Sequence, residues 1–260
     1  MPEGVEITRL VKLMQKLVGD KIKFAKILAG RYKRSPPSGW GSFIRSLPAR
    51  ITFIRKKGKF IYFGLSNGYY IFNTLGLTGA WTLDDTPYNK VAFHLSHSIT
   101  LYLFDIRNFA TLKFVKEGLD DKLKSIGYDA NSPTFTHRLF QNIIDDAQTH
   151  SVWNKPVAEV LLSQQWISGL GVYMVSESLY FAKLSPKRKL SSLSDTELRN
   201  LYKGIKKVSK ESTRAQTFTL HIDKNISQLN EYNFRVYKHK DADRYSLGGR
   251  NIYWYKGRQH

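Results

Sequence analysis

The first regular hydrophobic pattern in the chain lies close to its N-terminus. Between Ile7 and Val18 the apolar residues recur at intervals of three and four, the spacing that places them on one face of an α-helix. We therefore predict an amphipathic helix with its apolar stripe buried. Such burial would fix the direction of the residues before it, although core packing alone explains the stripe equally well.

The pattern changes after Ile22, where apolar residues occur in short runs rich in β-branched and aromatic side chains. Runs of this kind are typical of strands. They cover residues 51–55, 60–65, 69–73, 91–95, 99–104 and 111–114. Asn67-Gly68 separates two of the runs and predicts a tight hairpin turn. This part of the chain therefore predicts a β-sandwich.

The remainder of the chain is predicted to be mostly helical, after an aperiodic interdomain linker at residues 119–134. The predicted helices cover residues 137–147, 155–164, a stretch ending near 182 and a basic stretch at 188–210 with a capping box at 194–197. Gly248-Gly249, between aromatic and β-branched residues, predicts a C-terminal hairpin. We therefore predict an α+β chain, with a β-sandwich domain over residues 1–118 and a helical domain over residues 135–260.

The composition shows a large excess of positive charge. The chain has 260 residues with 41 Lys and Arg against 21 Asp and Glu, and its formal net charge is +20. This excess predicts a polyanionic partner, either nucleic acid or an anionic membrane. There is no long apolar run and the N-terminus is polar, so we expect no transmembrane span, no signal peptide and an intracellular location.

The cysteine and histidine content argues against a metal or disulfide framework. The chain has no cysteine, which excludes disulfides and thiolate ligands. Only His94 and His97 lie close together among the seven histidines. We therefore expect no structural metal site and no cofactor.

The chemistry with the clearest physical basis belongs to the first residues, Met1-Pro2-Glu3-Gly4. Removal of Met1 would expose Pro2 as a secondary amine, and an α-amino pKa of about 8, against about 10.4 for lysine, leaves part of it nucleophilic near pH 7. Its attack on an aldehydic sugar carbon would give a cationic iminium, and Glu3 could transfer protons. On these residues alone, an arbitrary flexible start is the simpler interpretation.

The four residues resemble the start of the Fpg/Nei family of DNA glycosylase/AP lyases, and ordered blocks over nearly the entire chain resemble it as well. This resemblance implies that Pro2 and Glu3 are catalytic. Glu6 is close to Pro2 in sequence and is expected in the first helical turn, so we predict that it positions the N-terminus or the opened sugar. No cofactor is implied by the resemblance.

The basic hairpin at residues 55–59 resembles the RGK hairpin of the family. The resemblance implies that Lys59 binds the phosphate beside the lesion and supports catalysis, and that Lys57 stands at the arginine position. Without the family context, a charged hairpin of this kind is most often only solvated.

Two loops resemble the family's LGMSG turn and DPRRF segment, namely residues 75–79 and 105–109. A base flipped out of a duplex leaves a hole that must be filled, because unstacking costs free energy. The resemblance implies that Leu77, Arg107 and Phe109 fill it, and that Asn108 replaces a phosphate-binding arginine. From spacing alone, core positions for Leu77 and Phe109 are an equal alternative.

Residues 155–179 resemble the family's helix–two-turn–helix motif. The backbone N–H groups of the turn formed by Gly169, Leu170 and Gly171 are predicted to hold a DNA phosphate at a helix N-terminus. Two positions depart from the family pattern. Val172 replaces a phosphate-binding asparagine, and Ser163 replaces an aspartate.

The C-terminal residues, from about 240 to 260, resemble the zinc finger of the family without its cysteines. Gly249-Arg250 and Tyr253-Trp254 match the pattern, as in the zincless-finger branch known from viral and vertebrate Nei-like enzymes. The resemblance implies that Arg250 lies at the finger tip and holds the phosphate beside the flipped nucleotide. Arg258 is a second, lower-ranked DNA contact, and no metal is expected.

The function predicted from these blocks is a monomeric bifunctional DNA glycosylase/AP lyase that acts by β,δ-elimination on double-stranded DNA with oxidised bases or abasic sites. The zincless finger and the helix at 155–164 favour oxidised pyrimidines and hydantoins as substrates. The segment 209–217 adds to this, since it lacks the glycine-rich character of the family's oxidised-guanine-capping loop. Alternatives are an Fpg-type 8-oxoguanine glycosylase and a non-catalytic basic DNA-binding protein.

Overall fold

The computed structural model describes residues 2–217, 219–221 and 232–260. The chain divides into two units, each with its own hydrophobic core. The first unit contains Pro2, residues 6–123 and the described residues among 217–221, and the second contains residues 3–5, 124–216 and 232–260.

The predicted N-terminal helix is confirmed and begins earlier than the apolar stripe. Helix α1 covers Gly4–Met14, and a 3₁₀ turn at Gln15–Leu17 continues it. Ile7, Leu10, Val11, Met14 and Leu17 are all buried in the core of the first unit, as the spacing predicts.

The first unit is built from eight antiparallel strands in the order β5-β7-β6-β1-β2-β3-β4-β8. They are β1 Lys21–Ile27, β2 Ala49–Lys57, β3 Phe60–Leu65, β4 Tyr70–Thr74, β5 Gly79–Thr82, β6 Asn89–Leu95, β7 Thr100–Asp105 and β8 Thr111–Val115. Only two residue pairs join β1 to β2, so the strands form two halves. Phe63 of one half lies 5.5 Å from Trp81 of the other, ring centre to ring centre. The predicted β-sandwich is therefore confirmed.

Two strands and two short helices of this region lie outside the predicted elements. Strand β1 alternates poorly because a register shift between Ile22 and Phe24 turns Phe24 outward, where it is 46% exposed. Strand β5 is short and begins at a glycine, which conceals it in the sequence. Helix α2 covers Trp40–Arg45, and α3, at Leu119–Lys124, lies in the stretch predicted to be a linker.

The second unit contains the predicted helices. They are α4 His137–Ala147, α5 Val157–Leu162, α6 Val172–Ala182 and α7 Asp195–Arg214. Helix α4 has the predicted bounds, whereas α5 is shorter, since Pro156 precedes it as N-cap. Strand β9 at Tyr128–Asp129 also lies in the stretch predicted to be a linker, and it pairs in parallel with β10 at Ile167–Ser168.

The C-terminal hairpin is confirmed. Strands β11 (Asp243–Leu247) and β12 (Arg250–Trp254) pair antiparallel, with Gly248-Gly249 as the two-residue turn. Ile252 is fully buried in the core of the second unit. The Gln259 side chain joins the hairpin to the helical part, because its Oε1 accepts the Tyr255 N–H and its Nε2 donates to the Leu184 carbonyl, both at 2.8 Å.

No helix in the described part of the chain is both long enough and apolar enough to span a membrane.

The predicted capping box of α7 is also confirmed. Glu197 Oε2 accepts the Ser194 N–H at 2.8 Å, and Ser194 Oγ accepts the Glu197 N–H at 3.4 Å. The Ser194 backbone bond, with support from the Arg188 guanidinium, lowers the pKa of Glu197 below its ordinary 4.5. A carboxyl group with a lowered pKa stabilises the fold at neutral pH, and this contribution is lost as the pH falls through that pKa.

We expect Glu197→Gln to lower the free energy of unfolding at pH 7 by about 1 kcal/mol, because the amide oxygen can still accept the Ser194 N–H but the negative charge that faces Arg188 and the positive end of the helix is lost. The difference from the unmodified protein should shrink between pH 7 and an acidic pH below the lowered pKa of Glu197, where the group is protonated in both the folded and the unfolded state. Denaturant titrations at the two pH values measure this. The control is Glu159→Gln, which breaks only the exposed 2.7 Å pair with Lys155 and should cost a few tenths of a kcal/mol. An equal difference at both pH values would contradict the assignment.

Candidate active site

The carboxylate of Glu3 occupies the N-terminus of helix α6. Its Oε2 accepts the N–H of Gly171 at 2.8 Å and that of Met174 at 3.2 Å, and its Oε1 accepts the N–H of Tyr173 at 2.9 Å. The residue is only 2% exposed. Three backbone donors and the positive end of the helix dipole stabilise the negative charge of this buried carboxylate.

Glycines on both sides make this arrangement possible. A Cβ atom on Gly171 would lie 2.4 Å from Glu3 Oε1, so only glycine leaves room for the carboxylate. A Cβ atom on Gly4 would meet the side chain of Asn131 and the Gly169 carbonyl, which lies 2.8 Å from the Gly4 nitrogen. The two glycines therefore fix the first residues of α1 against the turn before α6.

The predicted phosphate clamp at Gly169, Leu170 and Gly171 stays a prediction, and the internal contacts of two of its N–H groups disfavour it. The Gly169 N–H donates to Gln164 Oε1 at 2.9 Å, and the Gly171 N–H donates to Glu3. All three residues are buried, and Leu170 is 0% exposed. In the structure the anion at the N-terminus of this helix is the carboxylate of Glu3, where the sequence predicts a DNA phosphate. Val172, at the position of the family's asparagine, begins α6 directly after this turn.

Tyr237 is a residue of this site that the sequence analysis missed. Burial and the negative charge of Glu3 raise the pKa of Tyr237 to about 12, so its phenol stays neutral at physiological pH. Its ring packs against those of Tyr173 and Tyr253, with ring centres 6.0 and 5.3 Å apart. Tyr237 lies outside any periodic segment, and no sequence signal pointed to it.

Arg250 lies at the tip of the C-terminal hairpin, as predicted. It is exposed and pairs with Leu247 across the Gly248-Gly249 turn. No hydrogen bond or ion pair to another described residue holds its guanidinium. Arg258 is also exposed, but its guanidinium lies 5.4 Å from the centre of the Tyr255 ring. Of the two arginines, Arg250 is the one presented at the tip of a turn.

Lys57 and Lys59 lie at different positions in the basic hairpin of the first unit. Gly58 and Lys59 form the turn between β2 and β3, and Lys59 is partly exposed there. Lys57 ends β2, and its Nζ donates to the Leu123 carbonyl at 2.7 Å, near the end of α3. Lys57 thus has a structural contact within the first unit, which disfavours the predicted DNA contact.

The two loops predicted to fill the hole in DNA lie together on the first unit. Thr78 Oγ1 donates to Asp105 Oδ1 and accepts the Arg107 N–H at 3.1 Å, which joins the loops. Leu77 is 37% exposed and Phe109 47% exposed, so neither is a core residue. The Arg107 guanidinium lies 5.1 Å from the centre of the Phe109 ring. The three predicted residues thus form one exposed apolar and cationic surface.

Asn108 has a structural reason for replacing an arginine. Its φ angle is 58°, in the left-handed region that asparagine tolerates better than most residues. Its side chain is directed at Gly30, and its Oδ1 is buried without a hydrogen-bond partner among the described residues. The side chain is therefore turned into the protein, and it does not take over the phosphate contact of the family's arginine. Ile106, in the same loop, is also 45% exposed, and it was not among the residues predicted to fill the hole in DNA.

Pro2 and Glu6 lie on either side of Glu3 in the sequence. Pro2 is partly exposed and directly precedes the buried Glu3. Glu6 lies in the first turn of α1 and is 7% exposed. Within the described residues, no group of three or more His, Asp or Glu side chains could hold a metal ion.

Comparison with known proteins gives matches over both units. A family model described as the formamidopyrimidine-DNA glycosylase N-terminal domain matches residues 1–112, and one described as the formamidopyrimidine-DNA glycosylase H2TH domain matches residues 126–223. The formamidopyrimidine-DNA glycosylase of Shouchella clausii (strain KSM-K16) is 30% identical over 225 residues, which cover 83% of this chain and 79% of that protein.

Solved structures match almost the whole chain. The structure of MutM in complex with DNA containing carbocyclic 8-oxo-G has a TM-score of 0.81 at 20% identity, with 99% of each chain covered. The complex of wild-type Lactococcus lactis Fpg with DNA containing an oxidised pyrimidine has a TM-score of 0.80 at 20% identity, also with 99% of each chain covered. At these identities, the likeness shows the fold.

Proposed function

Because the chain belongs to the formamidopyrimidine-DNA glycosylase family, and is therefore a DNA glycosylase with AP-lyase activity, we propose that it acts on oxidised bases in double-stranded DNA through the amine of Pro2. The observation that carries this proposal is the Glu3 carboxylate, which three backbone N–H groups hold beside Pro2. The carboxylate belongs to the residue that directly follows Pro2, and this position next to the amine favours a role in proton transfer over DNA binding alone.

The proposed reaction begins with the nitrogen of Pro2, freed of Met1, which forms a bond to C1′ of the damaged nucleotide. The bond from C1′ to the base breaks, and the base leaves with a proton. The sugar ring opens to an iminium, which accepts the electron pair released when C2′ loses a proton. The 3′ phosphate and then the 5′ phosphate depart in successive β- and δ-eliminations. Glu3 is the proposed proton carrier, and Glu6 is proposed to position the N-terminus.

We assign the phosphates beside the lesion to Lys59 and Arg250, both of which lie at hairpin tips. A guanidinium or ammonium group at such a tip is close to solvent, so it can bind a phosphate without first being moved out of the protein interior. Leu77, Arg107 and Phe109 are proposed to fill the hole that the flipped base leaves. The exposure of all three side chains and the contact of Arg107 with the Phe109 ring support this role.

The base that is removed is proposed to be an oxidised purine of the formamidopyrimidine or 8-oxoguanine type. The names of the relatives and the 8-oxo-G complex among the matched structures favour it. The sequence argument from residues 209–217 for oxidised pyrimidines stays a prediction, and residues 209–214 belong to helix α7 in the structure. Oxidised pyrimidines and hydantoins remain the second candidate, supported by the cysteine-free finger and by one matched complex.

Single-turnover excision rates on matched duplexes distinguish the two substrate classes. We expect 8-oxoguanine opposite cytosine to be released at least about tenfold faster than thymine glycol, which corresponds to about 1.4 kcal/mol of transition-state stabilisation. An abasic site in the same sequence provides the control, because its cleavage does not depend on base recognition. Faster release of thymine glycol would assign the protein to oxidised pyrimidines and leave the Pro2 chemistry unchanged.

A further inference from the structure

Glu177 is a fully buried carboxylate for which the proposed chemistry has no use. It lies on α6 and is 0% exposed. Its oxygens accept the N–H groups of three consecutive residues, Arg235, Val236 and Tyr237, at 2.8 to 3.1 Å. Burial raises the pKa of Glu177, while these backbone bonds act in the opposite direction. A buried carboxylate is tolerated only with such donors, so this contact ties the segment before the finger to α6.

The neighbouring residue on α6 binds the finger itself. Ser176 Oγ accepts the N–H of Tyr253 in β12 at 3.0 Å. The ring of Tyr237, whose backbone is held by Glu177, packs edge-on against the Tyr253 ring with centres 5.3 Å apart. Ser176 therefore holds the strand that begins with Arg250 directly, and Glu177 holds Tyr237, whose ring packs against the same strand.

The same helix holds Glu3 one turn earlier. The N–H groups of Tyr173 and Met174 donate to Glu3, three residues before Ser176 and Glu177. Within a helix, such neighbouring turns have a fixed spacing of about 5.4 Å along the axis. Glu3 and the finger are thus attached to one rigid element.

We propose that Glu177, with Ser176, is a positioning residue that fixes Arg250 relative to Glu3. The chain has no cysteine, so no thiolate-bound metal can fix the finger, and the contacts to α6 take over that task. Glu177 does not touch the substrate. It acts through Arg250, and the proposal rests on the proposed function.

The test is a double-mutant cycle on single-turnover base release. We expect Glu177→Ala and Arg250→Ala each to slow release by about 100-fold, the scale of a misplaced catalytic group. Because Glu177 acts through Arg250, the double variant should be no slower than the slower single variant by more than about threefold. Independent effects would multiply to about 10⁴-fold, and that result would overturn the proposal.

Two controls separate positioning from a loss of stability. Glu177→Gln keeps one acceptor oxygen for the three N–H groups and should retain release within about fivefold. Leu179→Ala removes a fully buried side chain from the same helix, so it should lower the melting temperature without coupling to Arg250→Ala. Should Glu177→Ala fail to fold, Ser176→Ala replaces it in the cycle.

The outcomes also separate this proposal from the proposed function. If the unmodified protein neither releases bases nor cleaves abasic DNA, the proposed function fails. If the unmodified protein is active but Glu177→Ala acts at its rate, the positioning role alone is wrong. Coupling between Leu179→Ala and Arg250→Ala equal to that of Glu177 would mean that any loss of stability moves Arg250, and it would likewise overturn the specific role of Glu177.

Discussion

Replacing Pro2 with glycine will slow strand cleavage and borohydride trapping on lesion-containing DNA by about a thousandfold or more, the scale on which loss of a covalent nucleophile acts. Proline supplies a secondary amine, whose adduct with C1′ is a cationic iminium without further protonation. Glycine supplies a primary amine, whose adduct is a neutral imine that must first gain a proton. Gel separation of trapped and cleaved DNA measures both steps.

The control for this variant uses the unmodified sequence. A two-residue extension before Pro2 that is not removed converts the amine into an amide, and it should abolish trapping as fully as the substitution. The same extension after His260 should change nothing. Binding to undamaged duplex should persist in all three proteins, since the net charge of +20 is essentially unaltered. Trapping of Pro2→Gly at the rate of the unmodified protein would contradict the role of the secondary amine.

Replacing Glu3 with glutamine will slow base release by about 10²- to 10⁴-fold, the usual contribution of a positioned acid or base. The structure adds a second reason for a large effect. Each carboxylate oxygen accepts backbone N–H groups at the start of α6, so the amide group of glutamine would face at least one of them donor to donor. We therefore expect a lower melting temperature as well as slower release.

Comparison of two substrates separates these effects of Glu3→Gln. An abasic site has already lost its base, so its cleavage should be slowed less than base release from an intact lesion. The matched control is Glu159→Gln, which also neutralises a carboxylate in the first turn of a helix but leaves the site untouched. A folded Glu3→Gln protein that releases bases at the unmodified rate would remove Glu3 from the mechanism.

Sequence patterns predicted most elements because their residues repeat regularly. The apolar stripe of α1, the runs of β3 and β8, and the capping box of α7 each leave a regular pattern of residue types in the sequence. Strand β1 escaped prediction because a bulge breaks its alternation at Phe24. A local irregularity of this kind changes which face a side chain occupies without leaving a periodic signal.

The sequence indicated residues for the candidate site, but it did not indicate several of the contacts that these residues make in the structure. The N-terminus of α6 was predicted to hold a DNA phosphate, whereas in the structure it holds the carboxylate of Glu3, which lies 168 to 171 residues away along the chain. Helix rules identify free N–H groups, and they do not identify which acceptor the fold brings to them. The roles of Glu177 and Tyr237 were not predicted for the same reason. The backbone N–H groups that donate to Glu177 belong to a segment without a periodic pattern, which lies far from Glu177 along the chain.

The central claim is that the amine of Pro2 becomes covalently bound to the sugar, and mass spectrometry of the trapped complex tests it most directly. The protein is reduced with borohydride on a lesion-containing duplex, digested with a protease, and the peptide that carries the DNA remnant is sequenced. The account predicts a modified peptide that begins at Pro2, lacks Met1 and carries the remnant on its terminal nitrogen. A remnant on a lysine side chain such as Lys59, with an unmodified N-terminal peptide, would contradict it.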